Sequence, residues 1–319
     1  MSWGRRYFAV QAAGGAAWWL LVANVPAVRQ ATLGSLDPVP VALLDVPLFV
    51  VGSALAAVGV RAAATVATGW TALVATALTV RATLTGEAGL GVLVMLAATI
   101  GSVLALCLVR LGRLPVEWVT AGPLRFRTAD ADRTVAGNVR RTVAQIVVFW
   151  GLFLAVFPTV IVFLEHRWRL HPALPQGLTT ATAVTGWVVL AAASALGIAA
   201  AAVMSTLGEG TPLPSDQANR LVVAGPYRAV RNPMALAGIT QGVAVGLVAS
   251  SWMVVIYAVV GSVVWNCVVR PLEEADLERR FGDDFRRYRD AVRCWVPRWP
   301  VPRSPGADDV SGRRAIRQH

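Results

Sequence analysis

Long apolar blocks, each closed by a polar cluster, set the pattern of the chain. They run over about residues 7–28, 39–60, 63–80, 88–109, 143–164, 178–206, 234–249 and 252–269, with few charges inside. A helix rises about 1.5 Å per residue, so about 20 apolar residues cross a hydrocarbon layer of roughly 30 Å. The pattern therefore predicts an all-α, polytopic transmembrane helical bundle of about eight spans. A charged stretch from Arg270 predicts a C-terminal cytoplasmic amphipathic helix. The second and third blocks are separated only around Arg61. The first block is too long for a signal-peptide core and reads as a span.

Composition supports this reading: 56% of residues are hydrophobic and only 15% charged, against about 25% charged in soluble domains. Secreted scaffolds, nucleic-acid modules and cytosolic sheet enzymes are excluded. The net charge of +11 comes from 29 basic residues that are all Arg and lie at the ends of the blocks. Numbering the connections alternately puts 25 Arg on one side and four on the other. The positive-inside rule then places both termini in the cytoplasm, with the connections 110–142 and 207–233, and the 165–177 loop outside. Complete lack of Lys beside abundant Ala, Val and Gly suggests GC-rich coding, hence a multi-pass protein of a bacterial inner membrane. Trp18, Trp19, Trp118, Trp150, Trp168, Trp252 and Trp265 lie near block ends, as an interfacial belt requires. Cys107, Cys267 and Cys294 are too scattered for a disulfide framework or a metal site.

The chain divides near residue 142. Residues 1–142 read as an accessory transmembrane region with an Arg-rich connection, 143–300 as the functional membrane core, and 301–319 as a disordered tail. Polar residues within spans are candidates by default. Asp45 reads as a carboxylate reaching the interface. Gln11, Asn24, Gln145, Gln241 and Asn266 read as hydrogen-bonding groups between helices. Glu165, His166, Arg167, Trp168, Arg169 and His171 read as an interfacial loop, since nothing supplies the remaining ligands of a metal site.

Two stretches carry candidate chemistry. After the sixth block, Gly208-Glu209-Gly210-Thr211-Pro212-Leu213-Pro214 cannot continue a helix. The chain then reads Asn219-Arg220-Leu221-Val222-Val223-Ala224-Gly225-Pro226-Tyr227-Arg228-Ala229-Val230-Arg231-Asn232-Pro233-Met234-Ala235. Gly225-Pro226 signals a turn, and Asn232 caps a helix begun by Pro233. Arg228 and Arg231 beside the new helix's free N–H groups suit an anion. After the eighth block, Pro271 starts a helix with Glu273 and Glu274 in its first turn; Leu277 and Phe281 stack, and Gly282 ends it. Taken singly, these are also a lipid-bound basic loop and a surface helix. A hairpin turning at Ala249-Ser250-Ser251 returns both to one cytoplasmic face.

The ordered set Gly-Thr-Pro, Leu-Val-x-x-Gly-Pro-Tyr-Arg-x-x-Arg-Asn-Pro-Met and Glu-Glu-x-x-Leu-x-x-x-Phe-Gly-x-x-Phe-x-x-Tyr resembles the membrane-embedded methyltransferases that include isoprenylcysteine carboxyl methyltransferases and phospholipid N-methyltransferases. The resemblance covers about residues 205–298 well and the two preceding spans loosely; residues 1–142 have no counterpart in it. It implies an S-adenosylmethionine site lined by Asn219, Leu221, Val222, Tyr227, Arg231, Asn232, Pro233, Ala235 and Glu273, roofed by the last helix. Glu273 matches the family's cofactor-binding carboxylate. Arg270 lies one position from a substrate arginine, and Glu274 or Asp276 would serve as base for an amine or alcohol acceptor; Arg270 and Glu274 are the catalytic candidates. Asn232 stands where one branch has His, and Ala235 replaces a usual Tyr. The function implied is methylation of a lipophilic or isoprenoid-like acceptor at the cytoplasmic face, without metal or nucleic acid. The Arg228, Arg231 and Arg270 rim favours an acidic head group. A non-catalytic lipid-binding or scaffold protein of the same fold is the alternative. A channel or transporter is disfavoured by the absence of repeats and of charge within the spans.

Overall fold

The computed structural model describes residues 2–117, 125–130, 132–212 and 216–297, and these are all-α. The expected tail at 301–319, Trp118 and part of the Gly208–Pro214 turn lie outside the described residues. Nine helices form among those described: α1 (Trp3–Asn24), α2 (Pro26–Leu33), α3 (Pro38–Val58), α4 (Arg61–Thr85), α5 (Gly89–Leu111), α6 (Val135–Arg167), α7 (Gln176–Leu207), α8 (Pro233–Val248) and α9 (Trp252–Ala291). One isolated β-bridge joins Thr128 to Gln217.

Six helices, α3–α7 and α9, are long and apolar enough to cross a membrane, and the bent α1–α2 pair makes seven. The sequence predicts eight, and prolines explain the difference. Val25, held extended before Pro26 (φ −123°, ψ 98°), breaks the first block, and α2 departs at 115°. The α8 helix has 16 residues, about 24 Å, because Asn232-Pro233 and the 249–251 turn stop it at both ends. Its hairpin with α9 is as expected, and Ser251 caps α9 by accepting from Val254 N at 3.2 Å.

The last helix corrects a second expectation. Pro271 does not begin a separate helix, since α9 runs through it; Gly282 (φ 53°, ψ −124°) does end a helical stretch as expected, and a second stretch follows across the kink. π-Helical turns at Val46–Val51, Gly151–Val156 and Trp265–Val269 contain or closely precede Pro47, Pro158 and Pro271. A proline has no N–H and presses on the carbonyl one turn back. The wider π turn relieves that contact, so the helix continues.

The chain forms two compact units, Met1–Pro115 with Phe163–Pro172, and Val116–Val162 with Ala173–His319. In the first, Phe8 packs with Ala56, Ala57, Ala64, Ala67 and Ala105. The Gln11 amide donates to Ser53 Oγ at 3.0 Å and accepts from Ser102 Oγ at 2.8 Å, joining three helices as expected. Asn24 instead bonds within its own helix, to Leu20 O. Asp45 does not reach an interface: it is 5% exposed. Glu165 and Trp168 are likewise buried, whereas His166, which stacks on His171 at 4.0 Å, and Arg169 are exposed.

In the second unit, α8 packs against α7 and α9. Small residues set the approach: a β-carbon on Gly186 would lie 2.9 Å from Ala244 O, and one on Gly242 2.9 Å from Ala258 Cβ. Association of apolar helices in lipid rests on such close packing. Gln241 donates to Ser194 Oγ at 3.0 Å across the α7–α8 contact.

Candidate functional site

The second unit encloses a cavity of about 540 Å³, a size typical of small-molecule sites. One part of its wall is the α7–α8 connection, and physical ties hold that irregular segment in place. Asn219 donates its amide to Ala129 O at 3.2 Å and to Glu209 O at 3.1 Å. Buried Asp216 accepts from Arg133 at 2.7 and 2.9 Å and pairs with Arg141 at 3.0 Å. From α9, Arg280 donates to Gln217 Oε1 at 2.8 Å and to Ala218 O. The connection ends in a 3₁₀ turn, Gly225–Arg228, whose first residue has φ 53° and therefore suits glycine.

The distal half of α9, beyond the apolar segment that ends at Val269, lies on this connection. Phe285, Tyr288 and Val292 bury themselves against Leu221 and Val223, each large side chain contributing about 1.5–3 kcal/mol. Tyr288 Oη donates to Tyr227 O at 2.7 Å. Arg231 fastens the end: its guanidinium donates to Arg289 O at 2.7 Å, Val292 O at 2.8 Å and Glu274 Oε1 at 2.9 Å.

Seven of the residues expected to hold a cofactor line the cavity: Leu221, Val222, Tyr227, Arg231, Asn232, Ala235 and Glu273. Asn219 and Pro233 stand behind the wall and shape it. Asn232 begins α8 without capping it; its amide donates to Cys294 Sγ at 3.2 Å instead. Neither catalytic candidate reaches the lining. Glu274 is committed to Arg231, and the buried Arg270 Nε has no hydrogen-bond partner. Asp276 pairs with Arg279 at 2.7 Å. Arg228 also lies outside the lining, so the expected rim of three arginines does not form around the cavity.

Glu273 differs from its neighbours. It lines the cavity half-buried, and no hydrogen bond or ion pair joins it to any described residue. Burial pushes its carboxyl up to about 7, with Glu274 and then Asp276 adding to the rise. The backbone N–H groups of Leu221 and Val222 also donate to no acceptor among the described residues. Burial raises the phenols of Tyr227 and Tyr288, so both stay protonated.

The remaining wall comes from membrane helices. Phe149, Trp150 and Phe153 of α6 and Tyr257 and Trp265 of α9 line it, with the neutral polar groups of Thr142, Gln145 and Gln241. The motifs gave no hint of these aromatics, which sit in blocks where any large apolar side chain fits the pattern. The i, i+4 spacing of Phe149, Phe153 and Phe157 is the signal that was available; the first two rings stack at 5.4 Å.

Apolar helices of spanning length around a chamber that is part polar and part aromatic define a polytopic membrane protein with an internal cavity of small-molecule size. Residues 177–284, about a third of the chain, match the family model described as phospholipid methyltransferase, a family of integral membrane methyltransferases. The match runs from α7 through the connection and α8 into α9, the segments that supply most of the first wall. The family matched over this segment is one of membrane methyltransferases. Comparison with curated proteins and with solved structures gave no match.

Proposed function

We propose that the second unit transfers a methyl group from S-adenosylmethionine to a lipophilic acceptor at the cytoplasmic face of the membrane. One observation carries the reading: Glu273 presents a carboxylate without a partner to a cavity that continues into an aromatic, apolar chamber. The residues fit the cofactor. Glu273 suits its ammonium by a charge-assisted hydrogen bond, and the free N–H groups of Leu221 and Val222 suit a nucleobase edge. Tyr227, Asn232 and Ala235 complete the wall. When bound, the cofactor supplies an electrophilic methyl carbon and leaves as a neutral thioether.

The protein's part is positioning. Glu273, Leu221, Val222, Tyr227, Asn232 and Ala235 would hold the cofactor so that its methyl carbon faces an acceptor in the aromatic chamber. Holding the two in line supplies roughly 7–11 kcal/mol of the barrier, and the aromatic chamber of α6 and α9 excludes water. A carboxylate acceptor needs no base. An amine or alcohol must lose a proton, and Glu274 and Asp276 are already paired with arginines, so that proton would leave to solvent. The Arg distribution supports the cytoplasmic placement of the connection, and the absence of Lys supports a bacterial membrane. Calorimetric titration of the purified full-length protein with S-adenosylhomocysteine tests the site. Saturable one-to-one binding is expected; no binding at millimolar ligand favours a non-catalytic lipid-binding protein.

A further inference from the structure

The first unit holds a cavity of its own, about 630 Å³, and its wall is almost wholly apolar. Into that wall is set the carboxylate of Asp45, at 5% exposure. Its Oδ2 accepts from Trp19 Nε1 at 2.9 Å and its Oδ1 from Trp70 Nε1 at 2.7 Å. Both donors are neutral, and no basic side chain pairs with Asp45 among the described residues. Arg81 lines the same cavity, but its charge is met by Glu87 at 3.4 Å. A carboxylate so placed has no cation beside it to stabilise its ionised form, although each oxygen keeps a free lone pair. Trp18, Trp70, Tyr7 and Phe49 share the lining, and aromatic surroundings attract organic cations.

We propose that this cavity is a second binding site, for a lipophilic organic amine whose ammonium meets Asp45 among the aromatic rings while its chain fills the apolar remainder. The volume suits a chain of about a dozen carbons with its head group, within the usual range of ligand sites. The site is independent of the methyl-transfer reading, since it lies wholly in the first unit.

Labelled dodecylamine, titrated into full-length protein in phosphatidylcholine nanodiscs with empty nanodiscs subtracted, tests the proposal. Saturable binding is expected, and a tenfold excess of dodecanol should not displace the amine. Asp45→Asn should weaken binding about tenfold or more, as loss of a charged hydrogen bond does. Gly14→Leu should also weaken it, because Gly14 lines the cavity and a side chain there enters open space. Glu273→Gln should leave it unchanged, which separates this site from the other cavity. Equal displacement by the alcohol would show a void that takes any chain, and would overturn the proposal. So would unaltered binding in Gly14→Leu, a loss confined to Glu273→Gln, or no saturable binding. The alcohol comparison and Gly14→Leu decide the matter even where Asp45→Asn fails to fold.

Discussion

Keeping a carboxylate without a partner beside a cavity is costly, and Glu273 registers the cost as a carboxyl pushed up to about 7. Only its ionised form pairs with an ammonium. Affinity for S-adenosylhomocysteine should therefore strengthen as pH rises from 6 to 8, and titrations across that range check it. Glu273→Gln should abolish this dependence and weaken binding about tenfold or more at pH 8. Unchanged affinity would remove Glu273 from the site. The motif resemblance gave Glu273 to the cofactor and offered Glu274 as a base; the structure brings only Glu273 to the cavity. Adjacent helical residues point about 100° apart, so one faces the cavity and the other Arg231. That division rests on a partner 43 positions away, which no local pattern reveals. Arg231, expected to touch a ligand, lines the cavity and also ties the connection to α9.

At the scale of elements, the connection between α7 and α8 is the part most dependent on distant support. Asp216 gathers Arg133, just before α6, and Arg141, within it, and so fixes the start of α6 to the wall of the cavity. Asp216→Asn should destabilise the protein by about 3 kcal/mol, near the low end for breaking a buried pair because Arg141 is half exposed. A lowered Tm with faster proteolysis in the 125–142 segment checks this; an unchanged Tm would make the pair a surface ornament. In sequence those arginines read only as topological markers, since charge counting says nothing about pairing. Helix limits were legible where polar clusters end apolar blocks. They were misread at prolines, because Pro271 signals a helix start by composition while a π turn lets α9 pass through it. Pro26 shows the opposite case, a break inside one apolar block.

For the whole molecule, each of the eight apolar blocks corresponds to one helix, or to the α1–α2 pair, so the membrane class was readable from hydropathy alone. The methyltransferase segment was readable because its motifs crowd into one stretch. The first unit's cavity was not, since Tyr7, Asp45, Trp70 and Ala98 reach it from four separate helices. The 25-to-4 division of Arg predicts the orientation. In a variant lacking the native cysteines, a Cys at Arg220 should resist an impermeant thiol reagent on intact cells, and one at Ala173 should react. The reverse labelling would place the connection outside, away from the cofactor supply. The methyl-transfer reading itself stands or falls on one measurement: incubating the purified protein in nanodiscs of bacterial lipid extract with methyl-labelled S-adenosylmethionine, then counting label in the organic phase. The expected result is time-dependent label in a lipophilic product, reduced at least tenfold in Glu273→Gln. Label that stays in the aqueous phase, from a protein that binds the cofactor, would contradict it.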